Sequence, residues 1–144
     1  MLEADVALHL RQTYQRIAQI MRAKVDQYGL NFRLLHIAIL IANNPNMSQK
    51  ELSKQMRLTQ GAVSGSIKRL LKLGMIEQIP LEEDMRYNRL VITEQGRAVI
   101  ADYEEHIHTR YKELFLGFTQ EELEQFNKSL QKINANLDEI ENLP

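Results

Sequence analysis

Residues 48–73, SQKELSKQMRLTQGAVSGSIKRLLKL, are the part of the chain that decides the fold. The Ser48 hydroxyl can accept a hydrogen bond from the first free N–H groups of a helix, and Glu51 can reach back to the serine N–H. Thr59 provides a second N-cap signal after Leu58 has interrupted the pattern. Two capped helices joined by a tight turn are typical of a helix-turn-helix motif.

The second of these helices has two chemically different faces. Val63, Ile67, Leu70 and Leu71 recur at helical spacing and predict a buried stripe. The opposite face carries small, polar or basic side chains, namely Gln60, Gly61, Ser64, Gly65, Lys68 and Lys72. We expect this face to enter a DNA major groove.

Composition narrows the protein class. A length of 144 residues predicts one domain with appended helices, and 44% apolar residues are enough for a core. The net charge of −1 argues against a non-specific polyanion binder. However, residues 48–92 hold eight basic and five acidic side chains, a balance of +3, whereas residues 93–144 hold five and eleven, a balance of −6. The positive part contains the helix-turn-helix.

Other function classes lack their sequence signals. There is no cysteine, which excludes disulfides and thiolate metal sites. The start MLEADVALHL does not look like a signal peptide, and no apolar run approaches the ~20 residues that span a bilayer. We therefore expect a cytoplasmic protein without a membrane partner. No phosphate-binding glycine loop, serine elbow or cysteine nucleophile is present, so neither an enzyme nor a cofactor is expected.

The flanking sequence predicts a wing and long helices. Residues 75–80 and 89–92 are short β-like runs on either side of the charged segment LEEDMRYN, which predicts a hairpin. Helices are predicted for residues 5–27, 32–43, 94–116 and from 120 onward. The fold class is therefore mainly α with a small β-wing, a winged helix-turn-helix with N- and C-terminal dimerisation helices. Three domains are predicted: 1–30 for dimerisation, 31–93 for DNA binding and 94–144 for dimerisation.

The terminal helices predict a homodimer. In the last helix Leu123, Phe126, Leu130, Ile133, Leu137 and Ile140 follow alternating steps of three and four, an a/d pattern that needs a partner surface. The helices could fold back on their own chain, but the winged module is too small to cover them all. A two-fold dimer also suits a symmetric DNA site.

These motifs together resemble the MarR/SlyA family of winged-helix transcriptional regulators. The matching stretches are 48–52 (SQKEL), 58–64 (LTQGAVS), 69–76 (RLLKLGMI), 84–86 (DMR) and 90–97 (LVITEQGR). The resemblance implies a homodimer that binds double-stranded DNA at a pseudo-palindromic operator, with Arg86 in the minor groove and Asp84 supporting the wing. It also implies a repressor that responds to a small-molecule effector, for which the sequence offers Tyr14, Met21 and His36 as pocket neighbours.

The candidate DNA-binding residues lie in the helix-turn-helix and the wing. Arg89 could instead form an ion pair with Asp84 or Glu82. Gly61 and Gly65 depart from the family pattern, since they leave few long side chains to contact bases. The full candidate set is Ser48, Gln49, Thr59, Gln60, Gly61, Ala62, Ser64, Lys68, Arg69, Arg86 and Arg89, with Asp84 as wing support.

Two alternatives remain open. The small number of long basic side chains would also suit a winged protein-interaction module that does not bind DNA. A metal-responsive regulator is the other alternative, although His106 and His108 point about 200° apart on one helix and cannot share an ion. His36 is expected to be a hydrogen-bonded core histidine or to line a pocket.

Overall fold

A computed structural model describes residues 1–80 and 88–144 of the chain. Within these residues it contains six helices and one two-stranded sheet, in the order that the sequence predicts. The elements are α1 (Leu2–Gln27), α2 (Phe32–Asn43), α3 (Gln49–Met56), α4 (Gln60–Lys72), β1 (Ile76–Pro80), β2 (Asn88–Ile92), α5 (Glu94–Leu114) and α6 (Gln120–Glu141). None of the helices in these two ranges is long and apolar enough to cross a membrane.

The chain divides into two compact units, residues 1–107 and residues 108–144, with the boundary inside α5. The first unit therefore holds the helix-turn-helix, the wing and most of α5. The two units are groups of residues that contact one another closely. The predicted boundaries at residues 30 and 93 instead separate segments by function, dimerisation or DNA binding. The assignment of roles to 1–30, 31–93 and 94–144 stays a prediction.

The core of the first unit is built around α2. Ile37, Ala38 and Ile41 of α2 are buried, as the almost continuous apolar sequence of this helix predicts. They share one core cluster with buried residues of α3, α4 and the two strands, and α2 packs most closely against α4 and β2. His36, on the same helix, is exposed, so its prediction as a core histidine is wrong. The imidazole ring of His36 can remain hydrated, because the residues of α2 that pack into the core lie on the other sides of the helix.

The wing is an antiparallel hairpin. Ile76 of β1 is opposite Ile92 of β2, and Pro80 is opposite Asn88. Ile76, Leu90 and Ile92 are buried, while Glu77, Gln78 and Ile79 are exposed. One face of the hairpin thus closes the core, and its far end leads into residues 81–87, which lie outside the described residues.

A compact joint connects the wing to α5. The Thr93 Oγ1 accepts a hydrogen bond from the Gly96 N–H at 3.0 Å, so Thr93 is the N-cap of this helix. The same hydroxyl lies 2.6 Å from the Gly74 carbonyl oxygen and 3.0 Å from that of Met75. The Thr93 N–H also donates to the Met75 carbonyl at 3.0 Å. The start of α5 is therefore fixed to the end of the helix-turn-helix by one threonine.

A second joint connects α1 to α5 within the first unit. The Tyr28 hydroxyl donates to the Asp102 carboxylate, and the Lys24 ammonium lies 3.2 Å from the same carboxylate. These two contacts, the tyrosine first, lower the pKa of Asp102 below its usual 3.8. Burial and the nearby Asp102 raise the pKa of Tyr28 above its usual 10.0.

This joint should give a pH-dependent contribution to stability. Because the pKa of Asp102 is lower in the folded state, its contribution is present above pH ~4 and is lost as pH falls through the folded-state pKa. We expect Tyr28→Phe to lower the free energy of unfolding at pH 7 and to lower it by less at pH 3. Urea unfolding at both pH values measures this, with Tyr14→Phe, an exposed tyrosine of α1, as the control. If Tyr28→Phe lowered the free energy of unfolding equally at both pH values, the ionised Asp102 carboxylate would not be the cause of the loss.

The second unit carries the C-terminal apolar pattern. Its α6 begins with a capping box, in which Thr119 and Glu122 exchange two hydrogen bonds of 3.1 Å. No residue of α6 is fully buried. Its large apolar side chains are instead exposed along the predicted a/d positions, namely Phe126, Ile133, Leu137 and Ile140.

Candidate nucleic-acid interface

The first helix of the motif, α3, starts at an exposed N-cap. The Ser48 Oγ accepts a hydrogen bond from the Glu51 N–H at 3.1 Å, and Gln49 opens the helix with its side chain exposed. Leu52 is completely buried and anchors α3 in the core. The polar start of α3 is therefore available to a partner, while its apolar side is not.

The second helix, α4, also begins with a side-chain cap. The Thr59 Oγ1 accepts from the Ala62 N–H at 3.1 Å. Gln60 and Gly61 form the exposed first turn, whereas Ala62 and Ser64 are half-buried. The structure thus brings five of the candidate residues together at the N-terminus of α4, where free N–H groups favour a phosphate.

The buried stripe of α4 contains three of its four predicted members, and the fourth, Leu71, is half-buried. Val63, Ile67 and Leu70 are each at most 1% exposed. Gly65 is exposed, and a Cβ atom added to it would have no heavy atom within 4 Å. Lys68 and Arg69 are both exposed. A helix anchored on one side and open on the other can place its open face against a partner without unfolding.

The helix-turn-helix carries a strong local positive charge. Residues 48–73 contain six basic side chains and one acidic side chain, Glu51, which gives a balance of +5. All seven are exposed. The candidate set from the sequence contains Lys68 and Arg69 and missed the other four, because it selected single contact positions and did not include every basic side chain of the motif. The six are Lys50, Lys54, Arg57, Lys68, Arg69 and Lys72.

Arg89 has a structural contact that the sequence did not suggest. Its Nε donates to the Pro45 carbonyl oxygen at 3.1 Å, which ties the start of β2 to the turn after α2. Its role in DNA contact or in an ion pair stays a prediction, since Glu82 and Asp84 lie outside the described residues. Arg86 lies there too, so the predicted minor-groove contact is likewise a prediction.

A surface groove of about 700 Å³ lies beside α1. Tyr14 and Arg16 of α1 and Phe32 of α2 are among its lining residues. Of the three predicted pocket neighbours, Tyr14 lines this groove, His36 is exposed, and Met21 is buried in the first unit. The groove combines aromatic and cationic side chains, which suits an amphipathic anion.

The histidines do not form a cluster in the part of the chain that the structure describes. Across residues 1–80 and 88–144, no three His, Asp or Glu side chains are close enough to hold a metal ion. His106 and His108 lie on α5. The metal-responsive alternative therefore has no supporting geometry within these residues.

Comparisons with known proteins agree with this geometry. A family model described as the MarR family matches residues 28–86. The HTH-type transcriptional regulator BilQ of Clostridium symbiosum is 28% identical over 112 residues, which are 78% of each chain.

Solved structures share the fold. FabT of Streptococcus pneumoniae in complex with DNA has a TM-score of 0.78 at 21% identity, with 96% of this chain and 99% of FabT covered. Staphylococcus aureus MarR in complex with salicylate and kanamycin has a TM-score of 0.78 at 14% identity, with 96% and 94% covered.

The comparisons agree with one another. The family model matches residues 28–86, which include the helix-turn-helix and β1 but not β2, the relative is a transcriptional regulator, and the solved structures share the arrangement of helices and strands. The chain is similar to the MarR family of transcriptional regulators over residues 28–86, and it shares the winged helix-turn-helix fold of solved MarR-family proteins.

Proposed function

We propose that this protein is a homodimeric, sequence-specific DNA-binding repressor that acts on a pseudo-palindromic operator. The observation that carries the proposal is the helix-turn-helix, which has six exposed basic side chains within residues 48–73 and a capped, exposed start of α4. The proposal puts the protein in the cytoplasm, where it binds DNA and has no enzymatic role.

The exposed apolar side chains support a dimer. Leu2, Val6 and Leu10 of α1 are exposed, as are four of the six a/d residues of α6. Large apolar side chains repeated along a helix usually mark a protein interface. A two-fold dimer would present two copies of α4 to two half-sites of DNA.

The groove beside Tyr14 and Phe32 supports an effector response. We propose an amphipathic aromatic ligand, in keeping with the salicylate that the S. aureus MarR relative binds. Such a ligand can weaken DNA binding only if it has a higher affinity for the protein conformation that fits DNA poorly. The ligand must therefore change the spacing of the two recognition helices.

We expect Lys68→Ala to weaken operator binding roughly tenfold, since each 1.4 kcal/mol of lost contact is a factor of ten. Lys68 is exposed on α4, so the fold should be unchanged. Fluorescence anisotropy with a duplex from upstream of the protein's own gene measures the affinity. Arg86→Ala is the corresponding variant in the wing. Lys132→Ala, which removes the same charge from α6, is the matched control and should bind normally.

Two results would contradict the proposal. If the full-length protein shows no competitor-resistant binding at low salt, the DNA-binding function should be rejected in favour of a protein-interaction module. If it binds but Lys68→Ala and Arg86→Ala bind as tightly as Lys132→Ala, the recognition surface has been assigned to the wrong residues.

A further inference from the structure

Arg57 adopts an unusual backbone conformation in the turn between α3 and α4. Its φ of 55° and ψ of 42° lie in the left-handed region. Among the residues that the structure describes, it is the one non-glycine residue with a positive φ. Residues with a Cβ atom enter this region at an energetic cost, which glycine avoids and asparagine reduces.

The backbone explains why the conformation is needed. The Arg57 N–H donates to the Lys54 carbonyl at 3.3 Å, and the Leu58 N–H donates to the Ser53 carbonyl at 3.0 Å. This pair of hydrogen bonds is the Schellman ending of a helix, which requires a left-handed residue at this position. The backbone does not explain why that residue is an arginine.

The Arg57 side chain has no partner within residues 1–80 and 88–144. It is exposed and forms no ion pair or side-chain hydrogen bond with the residues described there. It follows Lys54 of α3 and stands two positions before Thr59, the cap of α4. In helix-turn-helix proteins the first helix crosses the DNA backbone and the start of the second enters the major groove. The turn between them is therefore beside the phosphates.

We propose that the Arg57 guanidinium binds a DNA backbone phosphate next to the start of α4, once in each protomer. The inference deepens the proposed function and depends on it. A guanidinium suits this task because its planar donors can bind two phosphate oxygens at once. Lys50 and Lys54 of α3, which precede Arg57 in the chain, are exposed as well, and Glu51 is the one acidic side chain of residues 48–73.

A purely structural role makes a different prediction. A cation at the C-terminus of α3 interacts favourably with the helix dipole, and this effect does not involve DNA. Under that explanation, removal of the charge would lower stability and leave DNA binding unchanged. Under our proposal, removal of the charge lowers the affinity for DNA. Glycine at this position also removes the energetic cost of the left-handed backbone conformation.

The test compares Arg57→Gly and Arg57→Lys in the full-length protein. Binding to the upstream duplex and to a scrambled duplex of equal length is measured across a range of salt concentrations. We expect Arg57→Gly to weaken binding to both duplexes by roughly tenfold. For Arg57→Gly, the slope of log K against log salt concentration should become shallower by about 0.9 per phosphate contact, or about 1.8 per dimer. Arg57→Lys keeps the charge and should retain the wild-type slope.

The outcomes separate this inference from the proposed function. If the wild type binds neither duplex, the proposed function fails. If the wild type binds and Arg57→Gly keeps its affinity and salt slope, the phosphate contact is wrong. Unfolding in urea shows whether Arg57→Gly is at least as stable as the wild type. Should this variant fold poorly, Arg57→Asn, which tolerates the left-handed region, replaces it with the same two outcomes.

Discussion

Replacement of Gly96 by alanine is expected to lower the free energy of unfolding by about 2–3 kcal/mol. A Cβ atom at this position would lie 2.3 Å from the Met75 carbonyl oxygen and 2.7 Å from the Ile92 Cδ1. The Met75 carbonyl cannot move easily, since it accepts a hydrogen bond from the Thr93 N–H. The extra methyl group would therefore push the start of α5 away from the wing.

Gly65→Ala is the matched control for this prediction. Gly65 also lies inside a helix, but an added Cβ would have no heavy atom within 4 Å. Alanine there should raise the free energy of unfolding by up to ~1 kcal/mol, because it is the better helix former. Urea unfolding at one fixed protein concentration measures both variants. A Gly96→Ala protein as stable as Gly65→Ala would show that the joint between wing and α5 can relax.

The Ile67→Ala variant should lose about 2–5 kcal/mol of stability. Ile67 is 1% exposed and lies in the stripe of α4 that faces the core. Its truncation leaves a cavity between α4 and its neighbours α2 and α3. The closely packed side chains around the cavity cannot fill it unless they move. Because α4 is also the proposed recognition helix, DNA binding should weaken at temperatures where the variant begins to unfold.

Lys68→Ala is the partner variant in this experiment. It changes the next residue, which is exposed, so its free energy of unfolding should stay within ~0.5 kcal/mol of the wild type. Its DNA affinity should fall even at low temperature, where Ile67→Ala still binds. Thermal unfolding and anisotropy on the same samples separate the two effects. If Ile67→Ala were as stable as the wild type, the packing of α4 described above would be wrong.

The helix-turn-helix could be predicted because its signals are local. Ser48 and Thr59 cap their helices through hydrogen bonds to residues three positions later. The stripe of Val63 and Ile67 repeats within one helix. Such interactions join residues that are close together in the sequence, so the local sequence is enough to predict them.

The site was harder to predict than the fold. The open face of α4 follows from its periodicity, and Lys68 and Arg69 are exposed as expected. The hydrogen bond from Arg89 to the Pro45 carbonyl was not predicted, since these residues are 44 positions apart. Arg57 escaped notice because an arginine gives no sequence signal for a left-handed turn, in contrast to glycine.

The helices, the hairpin, the charge of the motif and the family resemblance follow from the amino-acid sequence, because caps, periodicity and charge are properties of neighbouring residues. The exposure of His36 and the need for glycine at position 96 depend on tertiary packing. Gly96 lies against Met75, a residue from before the wing, and this contact exists only after the hairpin has paired Ile76 with Ile92. Contacts of this kind depend on how complete elements pack, and the order of residues within one element does not contain them.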